Sequence, residues 1–327
     1  MGMVVDGVWQ TRNDFSKQEQ GRFKRAASRF RNWVTSDGSA GPSGTDGFAA
    51  ESGRYHLYVS YACPWAHRTL IFRALKGLEE HISVSVVHYF MGDTGWEFHD
   101  REHATVDHLH GSSHMWQVYT SADPAYSGRV TVPVLWDKQR ETIVSNESSE
   151  IIRMFNSAFN GLAGVVADID FYPEALHSQI DAINDPIYNN VNNGVYKCGF
   201  ATTQEAYEEA FDALFSTLDM VEERLTTQRY LMGDAITEAD WRLFPTLLRF
   251  DPVYVGHFKC NRQRIADYPA LSGYLRELYQ WPGVAETVNM THIKNHYYMS
   301  HETVNPTRIV PKGPIIDLTL PHGRDAL

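Results

Sequence analysis

The sequence predicts a two-domain α+β protein: a first half that mixes strands and helices, and a second half that is all helical. Three observations carry this. A β-prone run, Tyr55–Tyr61, leads through a short turn into a helical pattern, Pro64–Lys76, and then into a second β-prone run, Ile82–Tyr89; strand, helix and strand of this length make a parallel βαβ unit. Two short runs, Val130–Trp136 and Thr142–Ser145, read as an antiparallel hairpin followed by a helix start. From about residue 160 onward, apolar residues recur at three- and four-residue spacing.

Taken in order, residues 1–50 form an arm. Ser36–Gly47 is dense in turn formers and should lack regular structure, yet Trp9, Phe23, Phe30 and Trp33 are too apolar for a free tail, so the arm is expected to pack on the body. A short basic run, Arg22, Lys24, Arg25, Arg29 and Arg31, reads as a solvated helix face. The acids Asp6, Asp14 and Glu19 upstream argue against a targeting peptide. In the βαβ unit, Gly77 closes the helix, and the alternation of Val with Ser marks the second strand. Met91–Gly128 is a polar interruption holding His99, His103, His108, His110 and His114. His99 and His103 would share a helix face, but no cysteine joins them and their spacing fits no zinc pattern, so a surface insertion is expected and no metal. Pro133 inside a strand-like run removes a ladder donor, which an edge position or a cis turn would resolve. Asn146–Phe155 starts a helix with Ser145 or Asn146 as its cap. The helical half reads as Pro173–Val191, Gln204–Leu225, Glu238–Phe250, Tyr268–Gln280 and Val284–Tyr298, with a capping box at Thr237–Asp240. The division expected is arm 1–50, a first domain 51–158, a helical domain 159–302 and an extended tail 303–327.

A net charge of −11 argues against a nucleic-acid surface, and no apolar run reaches membrane-spanning length, so neither nucleic acid nor membrane is an expected partner. Three cysteines, Cys63, Cys198 and Cys260, make no disulfide framework and point to a reducing, cytoplasmic setting. Cys198 reads as a small core residue.

Cys63 is the chemical centre. It follows a strand and a short turn at a helix start and precedes Pro64, whose missing N–H costs nothing in a first helical turn. The unpaired N–H groups and positive end of the helix dipole favour a thiolate there. The motif is Cys63-Pro64-Trp65-Ala66, with no second cysteine to resolve a mixed disulfide. An external thiol must do so, and glutathione is the obvious one.

These features together resemble the thioredoxin-like pattern of glutathione transferases. More narrowly, Cys63–Thr69, Arg129–Asp137, Ile143–Ile151, Val191–Lys197, Arg249–Val255 and His292–Tyr298 resemble the glutathionyl-hydroquinone reductases, the Xi class. The resemblance spans nearly the whole chain. It implies a two-domain glutathione transferase fold, with a thioredoxin-like N-terminal domain and an all-α C-terminal domain. It implies glutathione as co-substrate and reductive deglutathionylation of glutathionyl-hydroquinones through a Cys63–glutathione mixed disulfide. Trp96, Arg129, Val132, Pro133, Glu147 and Ser148 would bind glutathione. Tyr196, Tyr254 and Tyr297 would line the hydroquinone pocket, with Tyr298 the alternative to Tyr297. A homodimer is also implied. The His-rich insertion after Trp96 departs from the family pattern. Two other readings stand beside this one: an Omega-like thiol transferase or dehydroascorbate reductase, and a non-enzymatic glutathione- or quinone-binding protein.

Overall fold

The computed structural model describes residues 2–11 and 19–327; Asp14 and the rest of the arm between 12 and 18 lie outside the described residues. The chain divides into two compact units. The first takes in the described parts of Met1–Ser16, with Ala27–Ile169 and Thr287–His296; the second takes in the described parts of Lys17–Ala26, with Asp170–Glu286 and Tyr297–Leu327.

The first unit is built on a four-stranded sheet in the spatial order Ile82–Val86, Tyr55–Val59, Val134–Asp137, Thr142–Ser145. β5 (Tyr55–Val59) runs parallel to β6 (Ile82–Val86), with Leu57 opposite Val84. On its other edge β5 pairs antiparallel with β7 (Val134–Asp137), which pairs in turn with β8 (Thr142–Ser145). The parallel unit and the hairpin expected from the sequence are both present. α1 (Pro64–Leu75) connects β5 to β6 and packs against α3 (Ser148–Ser157). Leu57, Val59, Ile71, Phe72, Ile151 and Phe155 are fully buried among these elements. The Val132–Pro133 peptide is cis and lies just ahead of β7, so proline stays out of the ladder.

The arm contributes a hairpin, β1 (Met3–Val5) with β2 (Val8–Gln10), and β3 (Trp33–Thr35), which pairs in parallel with β4 (Gly47–Ala49). The expected helix face at Arg22–Arg31 is absent: residues 22–30 have no helical turn. The arginines are bound through side-chain contacts instead, Arg22 to Glu209 and Arg31 to Glu150. The apolar residues of the arm are also engaged, Trp9 through its Nε1–H to the Asp93 carbonyl and Phe30 by stacking near Tyr126. The polar insertion holds one helix the sequence pattern did not show, α2 (Met115–Ala122).

The second unit is helical. α4 (His177–Pro186), α5 (Gly194–Gly199), α6 (Gln204–Leu225), α7 (Glu238–Arg249), the single turn α8 (Val255–His257) and α9 (Pro269–Gln280) follow in order. α10 (Met290–Ser300) gives its beginning to the first unit and its end to the second. The expected single helix over Pro173–Val191 is broken, because Pro186 lacks an N–H and a wide π-type turn follows at Ile187–Asn192. A second such turn, Phe250–Tyr254, contains Pro252. The capping box forms as expected, with Thr237 N–H donating to Asp240 Oδ2 at 2.8 Å. Arg324 of the tail is buried, donating to Glu277 at 3.1 Å and to the carbonyls of Gln228 and Arg229. Among the described residues, no helix is long and apolar enough to cross a membrane.

His56, the second residue of β5, is fully buried between Ser83 and Ser85, 2.7 and 2.9 Å from their hydroxyls. Burial pushes its imidazole down to about 3 from an ordinary 6.5. The unfolded chain therefore takes the proton first, and His56 costs stability progressively as pH falls from 6.5 toward about 3. In urea titrations between pH 7 and pH 5, His56→Gln is expected to lose stability less steeply than wild type, by up to about 1.4 kcal/mol per pH unit. Parallel pH profiles would show that His56 is not the buried neutral group.

Candidate active site

Cys63 sits at the junction of β5 and α1 as the residue preceding the first helical turn, with an extended backbone (φ −75°, ψ 120°) and Pro64 next. Its N–H donates to the Ser60 carbonyl at 3.1 Å, and its carbonyl receives the His67 N–H at 3.0 Å. Its thiol donates to the Val132 carbonyl at 3.4 Å. The pairing of Tyr58 with Val134 places that carbonyl beside the thiol. Thus Cys63, Val132 and Pro133 are brought together. Cys63 is partly exposed, whereas Cys198 and Cys260 are buried thiols.

The start of α3 holds two further candidate residues, Glu147 and Ser148. Glu147 is its cap, accepting from Ser149 N–H at 3.1 Å and Ser149 Oγ at 2.8 Å. This corrects the expectation that Ser145 or Asn146 caps the helix. Ser145 belongs to β8, and the Asn146 side chain is engaged with Phe30 N–H and Tyr119 Oη. Ser148 is the first helical residue and is buried. The arm reaches this helix end. Ser28 Oγ donates to Glu147 Oε2 at 2.9 Å, and Arg31 Nε to Glu150 Oε2 at 2.7 Å. Burial works against the Glu147 charge, but the Ser149 and Ser28 hydrogen bonds and the nearby Arg31 outweigh it and hold the carboxyl below its usual range.

Trp96 is 7% exposed and stacks on His296, ring centroids 4.8 Å apart. His296 Nδ1 lies 2.7 Å from the Tyr89 carbonyl, so that nitrogen carries the proton and the ring is fixed. Arg129 is exposed, and its carbonyl accepts from Tyr126 Oη at 2.7 Å. His99 and His103 do not share a helix: His99 pairs with Glu97 at 2.8 Å, and His103 faces His292. Among the described residues, no group of three or more His, Cys, Asp or Glu is arranged to hold a metal.

In the second unit, three tyrosine hydroxyls form a chain. Tyr196 Oη lies 2.6 Å from Tyr297 Oη, which lies 2.9 Å from Tyr254 Oη. They come from α5, from the π-type turn before α8 and from α10. Tyr254 and Tyr297 are fully buried, and Tyr196 is half-buried. Burial pushes the Tyr254 and Tyr297 hydroxyls well above their usual range, against the positive charge of buried Arg249. Tyr298 points elsewhere, donating to the Pro252 carbonyl at 3.2 Å. Tyr297 joins this hydroxyl chain and Tyr298 bonds a backbone carbonyl instead.

Sequence reasoning did not single out Ser28, Arg25 or His296. Each meets its partner across more than a hundred residues of sequence, and the basic run that held Arg25 carried no local signal of a site.

Residues 62–158 match the family model described as glutathione S-transferase, N-terminal domain, and residues 204–277 match the corresponding C-terminal domain. Glutathionyl-hydroquinone reductase YqjG of Escherichia coli is 59% identical over 326 residues, covering 99% of each chain. The chain belongs to the glutathionyl-hydroquinone reductases. Glutathionyl-hydroquinone reductase PcpF of Sphingobium chlorophenolicum is 54% identical over 96% of each chain. The glutathione-bound structure of E. coli YqjG superposes with a TM-score of 0.92 at 57% identity over 99% of both chains. A Xi-class glutathione transferase from Natrialba magadii gives 0.91 at 50% identity, over all of this chain and 97% of that one. The two-domain glutathione transferase fold expected of this family member is the one observed.

Because the Glu147 carboxyl is held below its ordinary 4.5, its charge contributes stability above pH 4.5 that is lost as pH falls through the lower folded value. Glu147→Gln is expected to be less stable than wild type at pH 7, with the gap closing on acidification below pH 4.5. Chemical-denaturation midpoints across that range check this; a gap independent of pH would contradict it.

Proposed function

We propose that this protein reduces glutathionyl-hydroquinones to hydroquinones, with glutathione as co-substrate and glutathione disulfide as the second product. The observation that carries the reading is the single thiol of Cys63 at a helix start beside the Val132 carbonyl, in a chain of this family. Cys63 attacks the glutathionyl sulfur, the hydroquinone leaves, and a mixed disulfide remains on the protein. A second glutathione attacks that disulfide and frees Cys63.

In this reading residues 51–158 bind the tripeptide and residues 159–302 supply the aromatic pocket, with 1–50 an arm and 303–327 a tail. Val132 and Pro133 offer backbone groups to the cysteinyl moiety in the manner of an added strand. Glu147 and Ser148 receive the γ-glutamyl end, the carboxylate meeting a helix N-terminus and the amine meeting Glu147. Arg129 supplies positive charge, and Trp96 lines the tripeptide. Tyr196, Tyr254 and Tyr297 hydrogen-bond the phenolic oxygens and favour the keto tautomer. In that tautomer the ring carbon bearing sulfur has gained a proton. When the thiolate takes the sulfur, the C–S electron pair flows to the carbonyl oxygen, which becomes phenolate and is protonated. A homodimer in a cytoplasmic, reducing setting completes the proposal; unbridged thiols suit that setting.

Turnover of glutathionyl-menadiol with excess glutathione is the deciding experiment. Wild type is expected to release about one equivalent of menadiol per Cys63 without glutathione and to turn over only when glutathione is present, and Cys63→Ser to lose at least about a thousandfold in kcat, as removal of a covalent nucleophile does. Inert wild type that turns over hydroxyethyl disulfide would move the protein to the Omega-like thiol transferases. Failure on both substrates would favour the binding protein.

The hydroxyl chain is tested separately. Replacing Tyr196, Tyr254 and Tyr297 together by Phe is expected to cut the glutathionyl-menadiol rate by about a hundredfold or more. Unchanged turnover in the triple variant would remove the tyrosines from the reaction.

A further inference from the structure

One arginine of the arm meets Tyr196, one of the three tyrosines proposed to face the phenolic substrate. The segment carrying it is tied down at the start of α6: Thr202 N–H, just before the helix, donates to the Gly21 carbonyl at 3.1 Å, and Arg22 reaches Glu209 at 2.7 and 2.9 Å. The next residues then lie over α5. The Phe23 ring is 6.3 Å from the Tyr196 ring and 5.5 Å from that of Phe200. Arg25 donates its Nε to Asn193 Oδ1 at 2.7 Å, and its guanidinium carbon sits 4.9 Å from the centre of the Tyr196 ring. Asn193 closes the π-type turn ahead of α5, its N–H bonded to the Tyr188 carbonyl five residues back. These two contacts of Arg25 fall on the short stretch that presents Tyr196, and the same guanidinium carbon lies 5.5 Å from the centre of the Phe23 ring.

Tyr196 is the half-buried member of the hydroxyl chain, whose other two members are fully buried. A guanidinium is planar, permanently charged and weakly hydrated, so it rests on an aromatic face where an ammonium would seek water. A cation on the ring face withdraws electron density and makes the O–H a better hydrogen-bond donor. The proposed reaction needs such a donor at one moment. As the thiolate takes sulfur, the C–S pair moves onto the substrate oxygen, and negative charge appears there before a proton does.

We propose that Arg25 is a positioning residue for Tyr196, holding its ring in place and strengthening its hydroxyl toward the oxygen that becomes negative as the hydroquinone leaves. This rests on the function proposed above. It also makes the arm a determinant of leaving-group specificity: a substrate whose leaving group is a thiolate develops no charge on oxygen and gains nothing from Arg25.

The test compares two substrates of the full-length protein with the same Cys63 chemistry, glutathionyl-menadiol and the mixed disulfide of glutathione with 2-mercaptoethanol. Arg25→Gln is expected to lower kcat on glutathionyl-menadiol by about ten- to thirtyfold, the rate equivalent of a partly desolvated cation–π contact, with KM changed little. Turnover of the mixed disulfide and the rate of Cys63 alkylation by iodoacetamide are expected to stay within about twofold of wild type. Arg25→Lys should recover only part of the loss, because it keeps the charge without the flat fork. Equal losses on both substrates would reduce Arg25 to a packing residue, and no loss on either would remove it from the reaction. Full rescue by lysine would overturn the requirement for a stacked guanidinium. If wild type itself is inert toward glutathionyl-menadiol, the substrate reading fails first and the role of Arg25 falls with it.

Discussion

The first unit depends on β5 being paired on both edges. Its parallel partner, β6, requires a crossover helix, so the chain must leave the end of β5 through a turn and enter α1. Its antiparallel partner, β7, brings the Val132–Pro133 turn to that same end. The two demands meet at Cys63. The residue is held by its backbone between Ser60 and His67, and its sulfur is set against the Val132 carbonyl. The contacts given for it with Ser60, His67 and Val132 all run to main-chain atoms.

A different economy governs the second unit. Its candidate pocket is made of three hydroxyls that satisfy one another, so fully buried Tyr254 and Tyr297 have their O–H groups paired. Helix irregularity places two of the neighbours. The π-type turn at Phe250–Tyr254 supplies Tyr254, and the one ending at Asn192 sets up Asn193. Each contains or follows a proline, which leaves a carbonyl without its regular partner and lets the helix widen. Arg249 adds a buried cation near the same hydroxyls, its Nη1 donating to the Pro245 carbonyl at 2.9 Å.

Sequence legibility followed locality. The βαβ unit, the hairpin, α6 and the capping box at Thr237 were readable because the forces that make them act within a few residues or repeat with a fixed period. The break at Pro186 was hidden by an apolar spacing that continues through it. The cap of α3 was misread because Ser145 and Asn146 have the right chemistry but are already committed to β8 and to Tyr119. The arm was the least legible part. A run of arginines says only that charge is present, and whether it meets water, Glu150 or the face of Tyr196 is decided by chain that lies more than a hundred residues away. Family motifs located the candidate site residues, and the structure then showed which of them share hydrogen bonds.

The unequal burial of the cysteines has a practical corollary. Cys63 is partly exposed, while Cys198 is 3% and Cys260 0% exposed. A maleimide or a coloured disulfide reagent would therefore titrate one equivalent from the intact molecule, and the remaining two only after the helical unit comes apart. The stoichiometry of labelling then counts opening of the helical unit, and the first equivalent delivers a fluorophore or cross-linker to a single known address.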